Sequence, residues 1–181
     1  MYILIAALKE EVTELISIEH DVLVISGIGK LNALLALFNK YQKLNGTISC
    51  VVNLGTAGSD RLPKGALVEV VTSFQRDTAF YSEPIALMGA TDLIKVGCGS
   101  GDQLLESPPQ APWDIVDMEL YSLALFCREK SIPIVSIKYV TDRNDVNVYK
   151  DWKMQLPIVS SALSKFWLDQ KDQIMSKLCP K

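Results

Sequence analysis

Short apolar runs without polar alternation recur along this 181-residue chain, and charged or glycine-rich residues follow most of them. Such runs are typical of strands that are buried on both faces of a sheet. Between them, apolar residues recur at helical spacing, as at Leu31, Leu34, Leu35 and Phe38. The alternation of strands with helices predicts an α/β fold of three layers with a mixed central sheet. The predicted strands cover residues 1–8, 22–26, 48–54, 66–72, 94–98 and 134–140, and helices are predicted at 118–130 and from Pro157 onward.

The size and composition fit one domain, residues 1–181, because 49% of the residues are hydrophobic and 22% are charged. With a net charge of -3 and scattered basic residues, the chain has no electrostatic footprint for nucleic acid. Its first residues lack the basic region of a secretion signal, and no apolar run reaches the length of a membrane span. We therefore expect a cytoplasmic protein that binds neither nucleic acid nor a membrane.

The four cysteines, Cys50, Cys98, Cys127 and Cys179, lie far apart and form no CxxC pair. We expect reduced thiols, the first three of them buried, without a disulfide framework or a zinc site. No metal and no cofactor is expected. The single histidine, His20, falls between a predicted helix and a strand, so a surface loop is the favoured interpretation and a catalytic role the alternative.

Three acidic residues stand where predicted strands or helices begin or end. Glu11 follows the first strand, Glu119 lies in the first turn of the 118–130 helix, and Asp142 follows the 134–140 strand. Ligands of open α/β sheets collect outside the carboxyl ends of the strands, where carboxylates can bind a polar ligand and transfer a proton. Taken alone, these acids also fit ordinary roles as helix-dipole partners and turn formers, and that interpretation is the favoured one.

Two glycine-rich segments follow the second and third predicted strands: Gly27–Lys30 (GIGK) and the predicted loop Gly55–Ser59 (GTAGS). Backbone N–H groups in such segments can approach a ligand oxygen closely, and a plain tight turn is the alternative. Neither segment matches the dinucleotide-binding fingerprint or the Walker pattern.

Six short segments occur in the order Glu10-Glu11-Val12, Gly27-Ile28-Gly29-Lys30, Gly55-Thr56-Ala57-Gly58, Ser100-Gly101-Asp102, Met118-Glu119 and Thr141-Asp142. This ordered set resembles the purine nucleoside phosphorylase and nucleosidase superfamily, and most closely the methylthioadenosine/S-adenosylhomocysteine nucleosidases. The resemblance covers most of the chain. It implies the nucleoside phosphorylase-like fold and cleavage of the N-glycosidic bond of a purine nucleoside such as 5′-methylthioadenosine or S-adenosylhomocysteine.

The resemblance also implies roles for individual residues. Glu11 would activate the attacking water and Asp142 would protonate the departing purine, while Met118 and Glu119 would hold the ribose. The other residues with an implied part in substrate binding are Gly55, Thr56, Ala57, Gly58, Leu104, Leu105 and Lys138, the last standing where the family tends to carry an arginine. No cofactor is implied. A homodimer is implied, in which a partner loop completes the 5′ pocket.

Two departures from the family leave alternatives open. The segment from Thr78 to Thr91 is shortened, and Leu104 stands where the family has an aromatic residue that stacks on the purine. A nucleoside-binding homologue without turnover is therefore one alternative. Phosphorolysis is another, although the two glycine-rich segments contain no arginine and only Arg76, Arg143 and Lys30 are potential phosphate ligands.

Tyr149 and Trp152 lie between the predicted 134–140 strand and Pro157. For both aromatic side chains, core packing is the favoured interpretation, and a cap over the 5′ side of the nucleoside is the alternative.

Overall fold

The computed structural model describes residues 1–20, 22–80, 82–103, 111–143 and 148–179. These ranges contain eight strands, three α-helices and two 3-10 turns. The two turns lie at Lys9–Glu11 and Thr13–Leu15, where the spacing of Val12, Leu15 and Ile16 in the sequence predicts one short helix. In chain order the strands and helices are β1 (Tyr2–Ala6), β2 (Leu23–Ile25), α1 (Lys30–Lys43), β3 (Cys50–Gly58), β4 (Leu67–Gln75), β5 (Ile85–Ala86), β6 (Ile94–Ser100), β7 (Ile115–Asp117), α2 (Leu120–Glu129), β8 (Ile134–Asp142) and α3 (Val148–Leu178).

The strands form one mixed sheet, which confirms the predicted α/β class. Strands β2, β1, β3 and β8 are parallel neighbours in that order. Strand β4 is antiparallel to β8 and to β5 and parallel to β6, which is in turn parallel to β7. One pair, Gly58 with Val116, joins β7 back to β3 in antiparallel orientation. The pairings of β3, β8, β4, β6 and β7 therefore form a closed circuit.

Alternate residues of β1 belong to two different apolar cores. Ile3 and Ile5 pack in one core and Leu4 in the other, as the two-residue period of a strand requires. The first core also contains residues of α1 and α2, and the second contains residues of α3. Because both sides of β1 are covered, its sequence is apolar throughout instead of alternating with polar residues.

The segment Gly55–Gly58 is the end of strand β3, so its prediction as a loop was wrong. Its residues pair with β8 from Lys138 to Asp142. The glycines suggested a turn, yet Gly55 serves a close approach of side chains. A Cβ atom there would lie 3.2 Å from Lys138 Nζ and 3.6 Å from Glu11 Oε1.

Helix α3 begins at Val148, and Pro157 lies inside it, so the prediction that Pro157 starts this helix was wrong. Proline lacks an N–H and removes one intrahelical hydrogen bond. The side chains of Val159, Leu163 and Trp167 beyond it are fully buried in the second core. We attribute the continuity of the helix to this packing, which outweighs the loss of one hydrogen bond.

Helix α1 exposes most of the apolar residues that mark it in the sequence. Leu31, Leu35 and Phe38 are 74%, 54% and 41% exposed, whereas Ala33 and Leu37 are fully buried in the first core. The helix therefore has two apolar faces, and one of them is uncovered in the single chain.

Several predictions for single residues can be compared with the structure. The four cysteines are free, and Cys50, Cys98 and Cys127 are buried as predicted. His20 is exposed, which confirms its surface position. In the described ranges, no helix is both long and apolar enough to span a membrane.

Two leucines of α3 provide a matched test of how this helix packs. Leu163 is fully buried and Leu168 is 46% exposed. We expect Leu163→Ala to lower the free energy of unfolding by about 2–5 kcal/mol and Leu168→Ala by less than about 1 kcal/mol. Urea denaturation followed by circular dichroism measures both values. Equal losses would contradict the orientation of α3.

Candidate active site

A cavity of about 210 Å³ lies at the carboxyl ends of the parallel strands β1, β3 and β8. The residues after β1, the last residues of β3 and β8, and the junction of β7 with α2 line it. Four carboxyl groups meet in its wall, those of Glu11, Asp117, Glu119 and Asp142. Each of these residues is at most 8% exposed.

Glu11 lies in the 3-10 turn after β1, and three donors hold its carboxylate. Its Oε2 accepts a hydrogen bond from the Leu8 N–H at 3.0 Å. Its Oε1 accepts one from the Thr56 N–H at 2.9 Å and one from the Thr56 hydroxyl at 2.8 Å. A carboxylate has about four lone-pair positions, so roughly one remains for a further donor such as a water molecule.

Asp117 and Lys138 form a buried ion pair that joins β7 to β8. Lys138 Nζ lies 2.8 Å from Asp117 Oδ2, and both side chains are 1% exposed. Burial alone would lower the pKa of Lys138, but the nearby carboxylates, first Asp117, raise it above its usual value. Burial likewise acts to raise the pKa of Asp117, and the charge of Lys138 holds it below its usual value instead. Both groups therefore stay charged at neutral pH.

Asp117 was not among the residues singled out from the sequence. Besides Lys138, it accepts hydrogen bonds from the Ser100 hydroxyl at 2.5 Å and from the Leu120 N–H at 3.0 Å. The second bond satisfies a free N–H at the start of α2. A sequence signal for this role existed, since an aspartate three residues before Leu120 suits a helix start.

Glu119 is the N-cap of α2 and not a first-turn residue as predicted. Its Oε1 accepts a hydrogen bond from the Gly29 N–H at 2.8 Å, which links the GIGK segment to the cavity. Burial, together with the negative charge of Asp117, raises the pKa of Glu119 to about 8. The carboxyl group is therefore mostly protonated at neutral pH and can both donate and accept a hydrogen bond.

Asp142 is the last residue of β8, where the strand carries a bulge. Ala57 pairs with Val140 but Gly58 pairs with Asp142, so Thr141 is an extra residue without a partner in β3. A bulge changes the direction in which the following side chain points. The Thr141 hydroxyl donates to Asp142 Oδ2 at 2.8 Å, and Asp142 is 3% exposed in the cavity wall.

Two aromatic residues from the first turns of α3 complete the wall. Tyr149 and Trp152 line the cavity with their ring centroids 5.9 Å apart. Tyr149 is 58% exposed, so the core-packing interpretation was wrong for this residue. The Trp152 Nε1–H donates to the Thr56 hydroxyl oxygen at 3.1 Å, which connects α3 to the hydrogen bonds of Glu11.

Most of the predicted site residues come together in this cavity. The wall includes Glu11, Thr56, Ala57, Gly58, Met118, Glu119 and Asp142. Gly55 and Lys138 lie directly behind it, and the ion-pair partner of Lys138 is Asp117. Leu104 and Leu105 lie outside the described residues. Among the described residues, no group of three or more histidine, cysteine or acidic side chains is arranged to hold a metal ion.

The raised pKa of Glu119 predicts a pH-dependent stability. Between about pH 4.5 and pH 8 the unfolded chain releases a proton that the folded chain keeps, so this group destabilises the fold as the pH rises. Glu119→Gln removes the effect and keeps an oxygen for the Gly29 N–H. We expect the unfolding free energy of the variant, minus that of the wild type, to rise by at most about 1.4 kcal/mol per pH unit across this range.

Urea denaturation at pH 5, 6, 7 and 8 measures this difference. Glu10→Gln is the control, because Glu10 is exposed in the same turn as Glu11. A difference that stays constant with pH for Glu119→Gln would show that Glu119 is ionised in the folded protein.

Solved structures that share this fold include enzymes that cleave nucleosides. A mutant of futalosine hydrolase from Helicobacter pylori has a TM-score of 0.82 at 16% identity, covering 97% of this chain and 98% of that chain. The 5′-methylthioadenosine/S-adenosylhomocysteine nucleosidase of Helicobacter pylori with butyl-thio-DADMe-Immucillin-A has a TM-score of 0.84 at 18% identity, covering 95% and 97%. The fold is therefore that of the nucleosidases.

Comparison of the sequence with known proteins identifies the family within the proteins of this fold. No family model matches the chain. The 5′-methylthioadenosine/S-adenosylhomocysteine nucleosidase of Baumannia cicadellinicola subsp. Homalodisca coagulata is 30% identical over 178 residues, covering 79% of this chain and 77% of that protein. The chain belongs to the 5′-methylthioadenosine/S-adenosylhomocysteine nucleosidase family, which confirms the resemblance drawn from the six short segments.

Proposed function

We propose that this chain is an N-glycosyl hydrolase that cleaves a purine nucleoside such as 5′-methylthioadenosine or S-adenosylhomocysteine. The observation that carries the proposal is the cavity in which three acidic side chains meet. Glu11 comes from the turn after β1, Glu119 from the start of α2 and Asp142 from the end of β8. Membership of the nucleosidase family supports the same activity. The substrate is a small molecule.

Hydrolysis of an N-glycosidic bond needs a proton for the departing base and a water molecule for the sugar. Asp142 supplies the proton to the purine, and the Thr141 hydroxyl orients its carboxyl group. Glu11 accepts the proton of the attacking water. Its three donors hold it in a fixed orientation, and about one lone-pair position remains for the water.

The ribose lies against Met118 and Glu119 in this proposal. A protonated Glu119 can donate to one hydroxyl of the sugar and accept from the other. Such contacts accelerate the reaction when they tighten as the sugar flattens toward an oxocarbenium ion. Lys138 neutralises Asp117 behind the sugar and so limits the negative charge that the site presents to the substrate.

Hydrolysis is favoured over phosphorolysis because carboxylates already occupy the donors that a phosphate would need. At the start of α1, the Gly29 N–H donates to Glu119 and the Lys30 N–H donates to Asp102 at 2.7 Å. The Lys30 ammonium group is paired with Asp77. The N–H and hydroxyl of Thr56 both donate to Glu11.

Two other cations were potential phosphate ligands. Arg143 is exposed and is not among the described residues that line the cavity. Arg76 lines the cavity, and its Nη2 donates to the carbonyl oxygens of Gly101 and Gln103. A single guanidinium group that is already held by two carbonyls is a weak basis for a phosphate site.

Glu11 and Glu10 provide the test of the proposed chemistry. We expect Glu11→Gln to lower kcat/KM by about a hundredfold or more, because an amide cannot accept the proton of the water. Glu10→Gln, which alters an exposed acid one residue away, is expected to change kcat/KM less than twofold. The measurement is release of free base from methylthioadenosine, adenosylhomocysteine, adenosine and inosine, with and without phosphate.

The outcomes of this assay separate the alternatives. Base release that is independent of phosphate supports the hydrolase, and release that requires phosphate would instead identify a phosphorylase. Binding without release from any of the four nucleosides would identify a homologue without turnover. Full activity in Glu11→Gln would remove Glu11 from the mechanism.

We further propose a single three-layer domain that works in the cytoplasm as a homodimer. The placement of α1 and α2 in one core and α3 in the other supports the three layers. The uncovered face of α1, formed by Leu31, Leu35 and Phe38, supports the dimer, because neighbouring exposed apolar residues mark interaction sites.

Substitution of this face tests the dimer. Leu31→Glu combined with Leu35→Glu would place two charges in the interface, so we expect the protein to sediment as a monomer. Glu14→Lys, which changes the charge of an exposed residue elsewhere, is the control and should sediment as a dimer. A wild-type protein that sediments as a monomer would contradict the proposal.

A further inference from the structure

Three residues from distant parts of the chain form a continuous series of hydrogen bonds. The Trp152 Nε1–H donates to Thr56 Oγ1 at 3.1 Å, and the Thr56 hydroxyl donates to Glu11 Oε1 at 2.8 Å. Trp152 belongs to α3, Thr56 to β3, and Glu11 to the turn after β1. The series therefore links the last helix to the acid that stands beside the first strand.

The direction of these bonds follows from the groups themselves. An indole N–H can only donate, so the Thr56 oxygen accepts from Trp152. The hydroxyl has one proton, and that proton is directed to Glu11. Hydrogen bonds donated to a carboxylate favour its ionised form and fix its orientation. Without the indole N–H, the Thr56 hydroxyl would be free to rotate toward other acceptors.

We propose that Trp152 is a positioning residue, which holds the Thr56 hydroxyl, and through it the Glu11 carboxylate, in the orientation that accepts a proton from water. The proposal rests on the role of Glu11 in the proposed function. Trp152 also lines the cavity. A nucleoside that packs on its ring would therefore contact the same residue that orients Glu11. The start of α3 is then part of the catalytic geometry and not only a wall of the cavity.

Trp152→Phe tests this role, because phenylalanine keeps an aromatic ring and removes the donor. We expect kcat to fall about tenfold with KM changed less than about threefold. The acidic limb of the pH profile of kcat/KM should move to higher pH, because the base loses support for its ionised form. Thr56→Val should give the same two changes. The conservative variant Thr56→Ser keeps the hydroxyl group, so relative to Thr56→Val it should rescue both kcat and the position of the acidic limb. The double variant of Trp152→Phe with Thr56→Val should be no worse than Thr56→Val alone.

Trp113→Phe is the matched control. The Trp113 Nε1 is buried and has no hydrogen-bond partner, so its removal breaks no hydrogen bond. We expect the pH profile of this variant to coincide with that of the wild type. An unmoved acidic limb in Trp152→Phe, or the same displacement in both phenylalanine variants, would overturn the proposal.

A spectroscopic measurement keeps the proposal testable if the wild type releases no base. The indole N–H resonance of Trp152 can be assigned by its loss in Trp152→Phe. In Thr56→Val this resonance should move upfield and its proton should exchange faster with solvent, because its acceptor is gone. An unchanged resonance would overturn the proposal. If the resonance moves in Thr56→Val but the wild-type protein releases no base, the hydrogen bond from Trp152 to Thr56 is supported and only the proposed function is contradicted.

Discussion

The stability of the structure depends on how it compensates the charges of four carboxyl groups that are buried around one small cavity. A buried and unpaired charge is strongly unfavourable, so each group needs a partner or a proton. Asp117 is neutralised by Lys138, and Glu119 keeps its proton to about pH 8. Glu11 is held by three donors, and Asp142 accepts a bond from Thr141. Removing one member of the Asp117–Lys138 pair would cost about 3–5 kcal/mol.

This compensation explains why strands and helices meet as they do. The ion pair joins β7 to β8, and the Gly29 N–H joins the start of α1 to the start of α2 through Glu119. The Thr56 N–H joins β3 to the turn after β1. Each link satisfies a backbone or side-chain group that would otherwise be buried without a partner. The same contacts that orient the acids therefore hold the ends of the strands together.

The sequence predicted the parts of the site that local patterns encode. Strand ends and a helix start drew attention to Glu11, Glu119 and Asp142, but their roles in a site were implied only by the resemblance of the six ordered segments to the family. Asp117 was missed because its partner Lys138 is 21 residues away and no local pattern reports that pairing. Gly55 was predicted to lie in a loop because glycine is frequent in loops, whereas it lies in β3 and makes room for Lys138 and Glu11. Trp152 was read as a core residue because periodicity cannot separate the wall of a cavity from a core.

The arrangement of donors also explains how one fold can favour water over phosphate. A helix N-terminus and a strand end rich in backbone N–H groups are ready sites for an anion. In this chain the anions are internal: Glu119 and Asp102 accept from the start of α1, and Glu11 accepts from Thr56. An incoming phosphate would have to displace these carboxylates and approach their negative charges. A neutral water molecule meets neither obstacle, and in the proposed mechanism it needs only a lone pair of Glu11 that the three donors leave free. The preference for hydrolysis therefore follows from the protein filling its own anion sites.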